Sequence, residues 1–574
     1  MGAQEEGEEV PHEINAIGIS FGNSNSSIAY TSSEGKAEVI ANEEGDRYIP
    51  SILSYIEGEE YHGTQAKSQL VRNSQNTVAY FRDYLGKDFD SIDPTPCHAS
   101  AHPKKHESTV AFSIQDTESD SQNDVTVSEI TTRHIRRLAS SASDYLGKKV
   151  NAAVISVPTN FTEAQKEAMT KASQAAGVQL LQMISEPTAA VLAYDARSDA
   201  EIKDKIIVVA DFGGTRSDIG VIASRGGMYS ILSTSHDYET AGAQLDQLLI
   251  DHFAKEFIKK NKTDPRQKPK SLAKLKLEAE ATKKALSLGG NASLSIESLA
   301  DGVDFASTIN RTRYEMLAAK IFGSLTRMIE DTVRKADLDI LDVDEVILSG
   351  GTSHTPRISQ NLQRLFSPKT RILSPSTLPT AIDPSSLAAR GAAIQASLIS
   401  EFDKEDIEQS THPMVTVTPH LRNAIGVMVV SDDTKKGLFT ALVEKETAVP
   451  CRRAGIFAAP REGGDVMVKV CEGARDIKVT KKEKAKTNGK AASDDSDLDS
   501  DDEEDEEEIR EKIWKVGTVL AEAAIKGVKK GGKVEVTVHV GADLGVVVTA
   551  REVGAKGGVR GNLDKPRLVE NGSA

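Results

Sequence analysis

Residues 14–20, INAIGIS, form a short, mostly apolar run that predicts a buried strand. Phe21-Gly22-Asn23-Ser24-Asn25 then supplies a turn, and a second strand resumes near Ile28-Ala29-Tyr30. The same succession returns at Ile206-Ile207-Val208-Val209-Ala210, which turns through Gly213-Gly214 into Ile219-Gly220-Val221-Ile222. Two hairpins of one kind, separated by a long helical stretch, predict an internal duplication. Between them lie NAAVISVP, from Asn151 to Pro158, and a helix from Thr162 to Ala176 with Thr162 as N-cap and Gly177 as its stop. Residues 272–287 are helical in composition, with an apolar stripe of Leu272, Leu275, Ala279 and Leu286 that Thr282 interrupts. A strand from Val343 to Leu348 leads through Gly350-Gly351 to a helix opening near Pro356, where free backbone N–H groups would suit a nucleotide.

The texture changes near residue 400. Glu401 to Gln409 is charged, and Ser410-Thr411-His412-Pro413 reads as a connector. Short β-branched runs follow: Val415-Thr416-Val417-Thr418, Ile425 to Val430, Val466 to Val470, and Val534 to Val540. In the last, Val534, Val536, Val538 and Val540 alternate with Glu535, Thr537 and His539, the mark of a half-buried antiparallel strand. An α/β domain therefore precedes a β domain. Lys478 to Lys490 is rich in lysine and Asp494 to Glu508 in acid, adjacent opposite blocks that read as a solvated insertion. A docking segment for a basic partner is the other reading of that charge. The pattern divides the chain into a disordered N-terminus (1–13), a nucleotide-binding domain (14–402), a linker (403–414), a β-sandwich (415–553) interrupted at about 478–510, and a short tail (554–574).

At 574 residues the chain exceeds what one core organises, consistent with that division. No run of about 18 apolar residues predicts a membrane helix. The acidic start MGAQEEGEEV is no secretory signal, and Glu6 stands where a myristoylation motif places Ser or Thr. Cys97, Cys451 and Cys471 form no CxxC pair and suit a reducing compartment, so a cytoplasmic location is expected. The net charge of −16 opposes direct nucleic-acid binding by the bulk surface.

These motifs together resemble the heat-shock-70 chaperone family over nearly the whole length. IGISFGNSNS (from Ile17), SEPTAA (from Ser185), ADFGGTRSDIGV (from Ala210) and VILSGGTSHTPRI (from Val346) follow the family's nucleotide motifs in order. VMVKVCEGAR (from Val466) and ADLGVVVTA (from Ala542) are similar to strands of its peptide-binding domain. The resemblance implies an actin-like, ribonuclease-H-related ATPase domain of two lobes, followed by an antiparallel β-sandwich. It also implies an ATP site. Gly22, Asn23 and Ser24 would lie against the phosphates from one lobe, and Gly213, Gly214 and Thr215 from the other. Glu280, Lys283 and Lys284, on one helical face, would clasp adenosine. Gly350, Gly351, Thr352, His354 and Asp383 would line the rest. Taken singly, Glu280 or Lys283 is an ordinary solvated helix residue; the ordered set carries the implication.

Three departures redirect the expected activity. Ser20 stands where the family carries an aspartate near hydrated magnesium, and a neutral hydroxyl offers Mg²⁺ no charge. Loss of one preorganised electrostatic group costs on the order of 100- to 1000-fold in rate. Arg82, Arg216 and Asn23 replace lysine, threonine and threonine, although Glu186, Asp211 and Asp218 keep the carboxylates expected around the metal. ATP binding is thus expected to outlast hydrolysis, with Mg²⁺ weakly held. The linker QSTHPMV, Gln409 to Val415, has none of the family's leucines. The residues after Ala550, rich in glycine, cannot make the helical lid, so the sandwich is expected to be lidless. These departures resemble one subgroup, the atypical heat-shock-70 subunit of the fungal ribosome-associated complex, which pairs with the J-domain protein zuotin. That resemblance implies a stable heterodimer with a J-domain protein, indirect contact with the ribosome, and stimulation of a second heat-shock-70 chaperone. An autonomous ATP-hydrolysing chaperone is the alternative; a sugar kinase is disfavoured by the appended sandwich.

Overall fold

The computed structural model describes residues 14–92, 100–118, 121–197, 203–400, 402, 421, 423–431, 434–445, 447, 449–459, 462–481, 508–541, 545–555 and 557–563. The N-terminal stretch 1–13, the linker 403–414, the first expected β run at 415–418, Cys97 and most of the charged insertion lie outside them. Contacts divide the chain into two compact units, Met1–Thr416 and Val417–Ala574.

In the first unit, β1 (Ala16–Phe21), β2 (Asn25–Thr31) and β3 (Ala37–Ile40) form an antiparallel meander. β4 (Ala152–Val157) joins β1 in parallel, and β5 (Gln179–Ser185) joins β4 in parallel. The sheet order is thus β5-β4-β1-β2-β3. Between β4 and β5 runs α1 (Glu163–Ala175), opened by a reciprocal capping box between Thr162 and Gln165. Gly177, at φ 79°, reverses the chain just past its end. Met169 and Ala172 of that helix bury against a core that includes Ile17, Ile19, Phe21, Ala153 and Ile155.

The second half of the unit repeats the plan. β6 (Lys205–Phe212), β7 (Ser217–Arg225) and β8 (Met228–Asp237) form the meander. β9 (Glu345–Ser349) and β10 (Arg371–Leu373) add in parallel beside β6, for an order of β8-β7-β6-β9-β10. The expected duplication is therefore one of whole sheets and not of hairpins alone. The continuous apolar run in β6 has its reason in burial on both faces. Ile206, Val208, Ala210 and Phe212 enter one core, while Ile207 and Val209 enter another with Ala190 and Val191.

Helices cover these sheets. α2 (Glu186–Asp195) starts directly from β5, α3 is Gly242–Asn261, α4 Pro269–Leu288, α5 Pro356–Leu365 and α6 Leu387–Ile399. In α4, Thr282 does not interrupt the inward stripe: it is buried with Leu275, Ala279 and Leu286, whereas Leu272 is only half-buried. α6 comes so close to α2 and β1 that a Cβ on Gly391 would sit 1.9 Å from the Ala189 carbonyl oxygen, and one on Gly18 2.1 Å from the Ala393 nitrogen. Backbone approach at this distance admits only glycine.

The second unit is an antiparallel sandwich. One sheet contains β11 (Ala424–Ser431), β12 (Thr434–Val443), β14 (Gly464–Lys481) and β15 (Glu508–Val528). The other contains β13 (Cys451–Ala458), β16 (Lys533–Val540), β17 (Val546–Glu552) and β18 (Val559–Leu563). Their orders are β12-β11-β14-β15 and β13-β16-β17-β18. Val534, Val536, Val538 and Val540 all face the core, beside Ile425, Val427, Val468 and Val470. Two elements run further than charge and glycine content predict. β14 and β15 pair through Lys481 and Glu508, inside the range assigned to the insertion, and β18 adds a strand within the expected tail. Cross-strand hydrogen bonding carries those polar ends, which apolar alternation does not mark. Cys451 is half-buried and Cys471 buried.

Candidate functional site

The ends of the two duplicated hairpins face one cleft of about 1270 Å³ in the first unit. Every site residue singled out from sequence lines it, from Ser20 and Gly22 to Gly351 and Asp383.

The hairpin turns meet. Asn23 Nδ2 donates to Thr215 Oγ1 at 3.0 Å, and a Cβ on Gly214 would lie 2.3 Å from Ser24 Oγ. The Gly22 carbonyl accepts from Ser51 Oγ at 2.7 Å, and the Gly213 N–H donates to the Arg216 carbonyl at 2.9 Å, which closes the second turn. The first amides of α3 are consumed here: Gly242 N–H donates to the Gly213 carbonyl and Ala243 N–H to that of Gly214. Thr352 Oγ1 donates to the same Gly213 carbonyl at 2.9 Å. Gly350, at φ 80°, passes so near Asp211 that a Cβ would meet its Oδ1 at 2.5 Å. The glycine pair does not lead straight into α5, as its spacing suggests. A 3-10 turn, Gly351–His354, intervenes, and the Gly350 N–H is given to the Pro384 carbonyl. Of α5 only Pro356, which has no N–H, lines the cleft.

The trio on α4 separates into different environments. Glu280 accepts from Lys67 at 2.7 Å and from Lys284 at 2.8 Å. Burial works to raise its carboxyl, but the two ammonium groups outweigh it and hold the pKa down at about 2. Lys283 points inward to Asp246 (2.8 Å) and the Gly242 carbonyl (3.0 Å), so it fastens α4 to α3. Its ammonium is committed to the protein interior. Nearby, Asp383 takes a bond from Tyr48 Oη and lies 3.2 Å from His354 Nε2. Burial opposes ionisation of Asp383, yet the His354 and Tyr48 bonds bring its pKa down to about 2. Lys67 and Tyr48 were not found from sequence: neither sits in a glycine turn or a periodic stripe.

The floor holds the carboxylates. Antiparallel pairing puts Asp211 directly opposite Asp218, an unfavourable juxtaposition of like charge. Arg216 resolves half of it with a fork: Nε donates to Asp218 Oδ2 at 2.6 Å and Nη2 to Oδ1. The same guanidinium donates to Tyr238 Oη (2.9 Å) and Asn160 Oδ1 (2.8 Å), and lies 4.9 Å from the Tyr238 ring centroid. Asp211 Oδ2 accepts from Ser349 Oγ at 2.7 Å. Arg82 binds Asp83 (2.7 Å) and Glu186 (3.2 Å) and donates to the Phe21 carbonyl. Both arginines are buried, 3% and 5% exposed. Burial pushes Glu186 up to about 7 against the pull of Arg82, with Asp211 and Asp218 adding to the rise. Asp211 is raised to about 6 by burial, despite the bond from Ser349. Neither arginine came from sequence as a carboxylate partner; they were read as altered phosphate contacts.

Duplicated sheets of this order, with hairpins converging on a glycine-lined cleft, define a two-lobed actin-like nucleotide-binding fold, here followed by a β-sandwich. The family model described as "Hsp70 protein" matches residues 16–489. The chain belongs to the heat-shock-70 family, whose members bind nucleotide, generally with Mg²⁺. It is 43% identical over 553 residues to a heat shock protein 70 homologue of Schizosaccharomyces pombe, covering 95% of each chain. It is 41% identical over 547 residues to the ribosome-associated complex subunit SSZ1 of Saccharomyces cerevisiae, covering 95% of this chain and 99% of that one. Heat shock 70 kDa protein 14 of Danio rerio is 30% identical over 469 residues, 80% of this chain and 89% of the relative.

Proposed function

We propose that this chain is an ATP-binding, non-hydrolysing heat-shock-70 subunit. It forms a stable complex with a zuotin-like J-domain protein on cytosolic ribosomes and stimulates a second heat-shock-70 chaperone acting on nascent chains. The observation that carries the catalytic part is the pairing of Arg82 with Glu186 and of Arg216 with Asp218. Carboxylates held this way are poor at orienting an attacking water, since their lone pairs already accept charge-assisted bonds. Ser20, on β1 at the cleft floor, adds no charge to replace them. Binding keeps its parts. Gly22, Gly213 and Gly214 let a triphosphate approach the main chain, and Glu280, Lys284, His354 and Asp383 offer polar groups toward the adenosine end.

The partner reading rests on the likeness to SSZ1, itself named as a ribosome-associated complex subunit. The second unit supports it, because its two sheets end on strands β12, β15, β13 and β18, and no helix covers them among the described residues. Open strand edges accept an added strand from another chain. A single-turnover assay with and without a J-domain protein tests the catalytic part: no cleavage above background is expected in either. J-stimulated turnover at ordinary family rates would show an autonomous chaperone instead. Affinity purification from cytosol is expected to return a J-domain protein at one-to-one ratio, together with ribosomes.

A further inference from the structure

We propose that Arg82 and Arg216 take the place of a divalent cation in this cleft, so that the chain binds ATP without Mg²⁺. The inference rests on the ATP-binding reading above and specifies the form of nucleotide the site accepts.

Magnesium requires hard anionic oxygens, directly or through its own waters, in near-octahedral array. The candidates here are the Ser20 hydroxyl, Glu186, Asp211 and Asp218, all on the cleft floor. Each of the three carboxylates is already engaged by a named contact. Ser20 is neutral. Both oxygens of Asp218 accept from the Arg216 fork. Glu186 Oε1 accepts from Arg82 Nη1 at 3.2 Å. Asp211 Oδ2 accepts from Ser349, and its Oδ1 would stand 2.5 Å from a Cβ placed on Gly350. This donor set does not fit a resident Mg²⁺.

The guanidinium groups are built in. Arg216 is gripped by Asp218, Asn160 and Tyr238, and Arg82 by Asp83, Glu186 and the Phe21 carbonyl. Arg82 also stands 5.8 Å from the Phe161 ring. Both line the cleft beside Asn23 and Thr215, where the hairpins meet. Each guanidinium keeps one N–H outside these bonds, on Arg82 Nη2 and Arg216 Nη1, and such a donor on a fixed cation suits a phosphate oxygen. A metal ion entering the floor would have to displace one of them from its carboxylate. Where family members import a cation with the nucleotide, the chain sets two guanidinium groups at the cleft.

Calorimetric titration of the full-length protein with ATP, in excess EDTA and in excess Mg²⁺, tests this. The expected result is an affinity in EDTA within about threefold of that in Mg²⁺. Binding weakened tenfold or more in EDTA overturns the proposal while leaving ATP binding intact. No binding in either buffer overturns the proposed function as well. Arg216→Thr, which frees Asp218, is expected to lose about tenfold or more in EDTA and to regain affinity with Mg²⁺. Arg82→Met, which removes the cation beside Glu186, supplies the same comparison should that variant fail to fold, with circular dichroism reporting folding for both. Wild-type affinity in EDTA for a folded variant would remove that arginine from the account.

Discussion

At Arg216, one side chain answers three demands: it neutralises Asp218, stacks on Tyr238 and ties β7 to the Asn160 loop. A threonine at that position could do none of these. The consequence for engineering is specific. Ser20→Asp alone is expected to leave single-turnover hydrolysis at background, because Glu186 and Asp218 remain paired. Combined with Arg82→Lys and Arg216→Thr it is expected to raise the rate measurably above wild type. Gly214→Leu belongs to the same scale. The added side chain would start 2.3 Å from Ser24 Oγ, so the hairpins must part. ATP affinity is expected to fall by about tenfold or more in a calorimetric titration.

Among the elements, α6 and the helix Val127–Leu146 place the strictest conditions on the fold. Gly391→Val would drive a side chain into the Ala189 carbonyl and force α6 off α2. A loss of about 3 kcal/mol or more is expected in denaturant unfolding, since overpacking against backbone has no flexible neighbour to yield. The helix Val127–Leu146 carries His134, 1% exposed, with Nε2 2.9 Å from Ser26 Oγ and its ring beside Phe21 and Phe81. Burial, and after it the neighbouring His62, bring its pKa down to about 3 against the opposing pull of Glu60. The folded chain therefore refuses a proton that the unfolded chain accepts below the ordinary histidine pKa of 6.5. The stabilisation is complete above that pH and declines as pH falls toward 3, at up to about 1.4 kcal/mol per pH unit. His134→Gln is expected to flatten this part of the stability profile, measured by denaturant midpoints between neutral and mildly acidic pH.

For the whole molecule, nucleotide is expected to act as a structural ligand. Saturation at about 100 times Kd stabilises the state that binds by about 2.7 kcal/mol, which a thermal melt of the full chain would show as a raised midpoint. The rise is expected for the transition of the first unit, whose two lobes are joined across the cleft by Asn23–Thr215, Lys67–Glu280 and Tyr48–Asp383. An unchanged midpoint with ATP would argue against nucleotide as a structural ligand.

Local regularities were legible from the chain alone. Glycine and asparagine turns marked both hairpins, Thr162 marked a helix start, and strict alternation marked β16, because these depend on neighbours a few positions apart. Ordered motifs also named the residues that line the cleft. What they do inside it was decided by tertiary structure. Arg82 and Glu186 are 104 positions apart, Lys67 and Glu280 213, and Tyr48 and Asp383 335. No periodicity reports such pairs, and none revealed that Lys283 turns inward or that two sheets share one strand order. Charge on a side chain is a property of sequence; which charge it meets depends on how separate strands and helices are brought together in space.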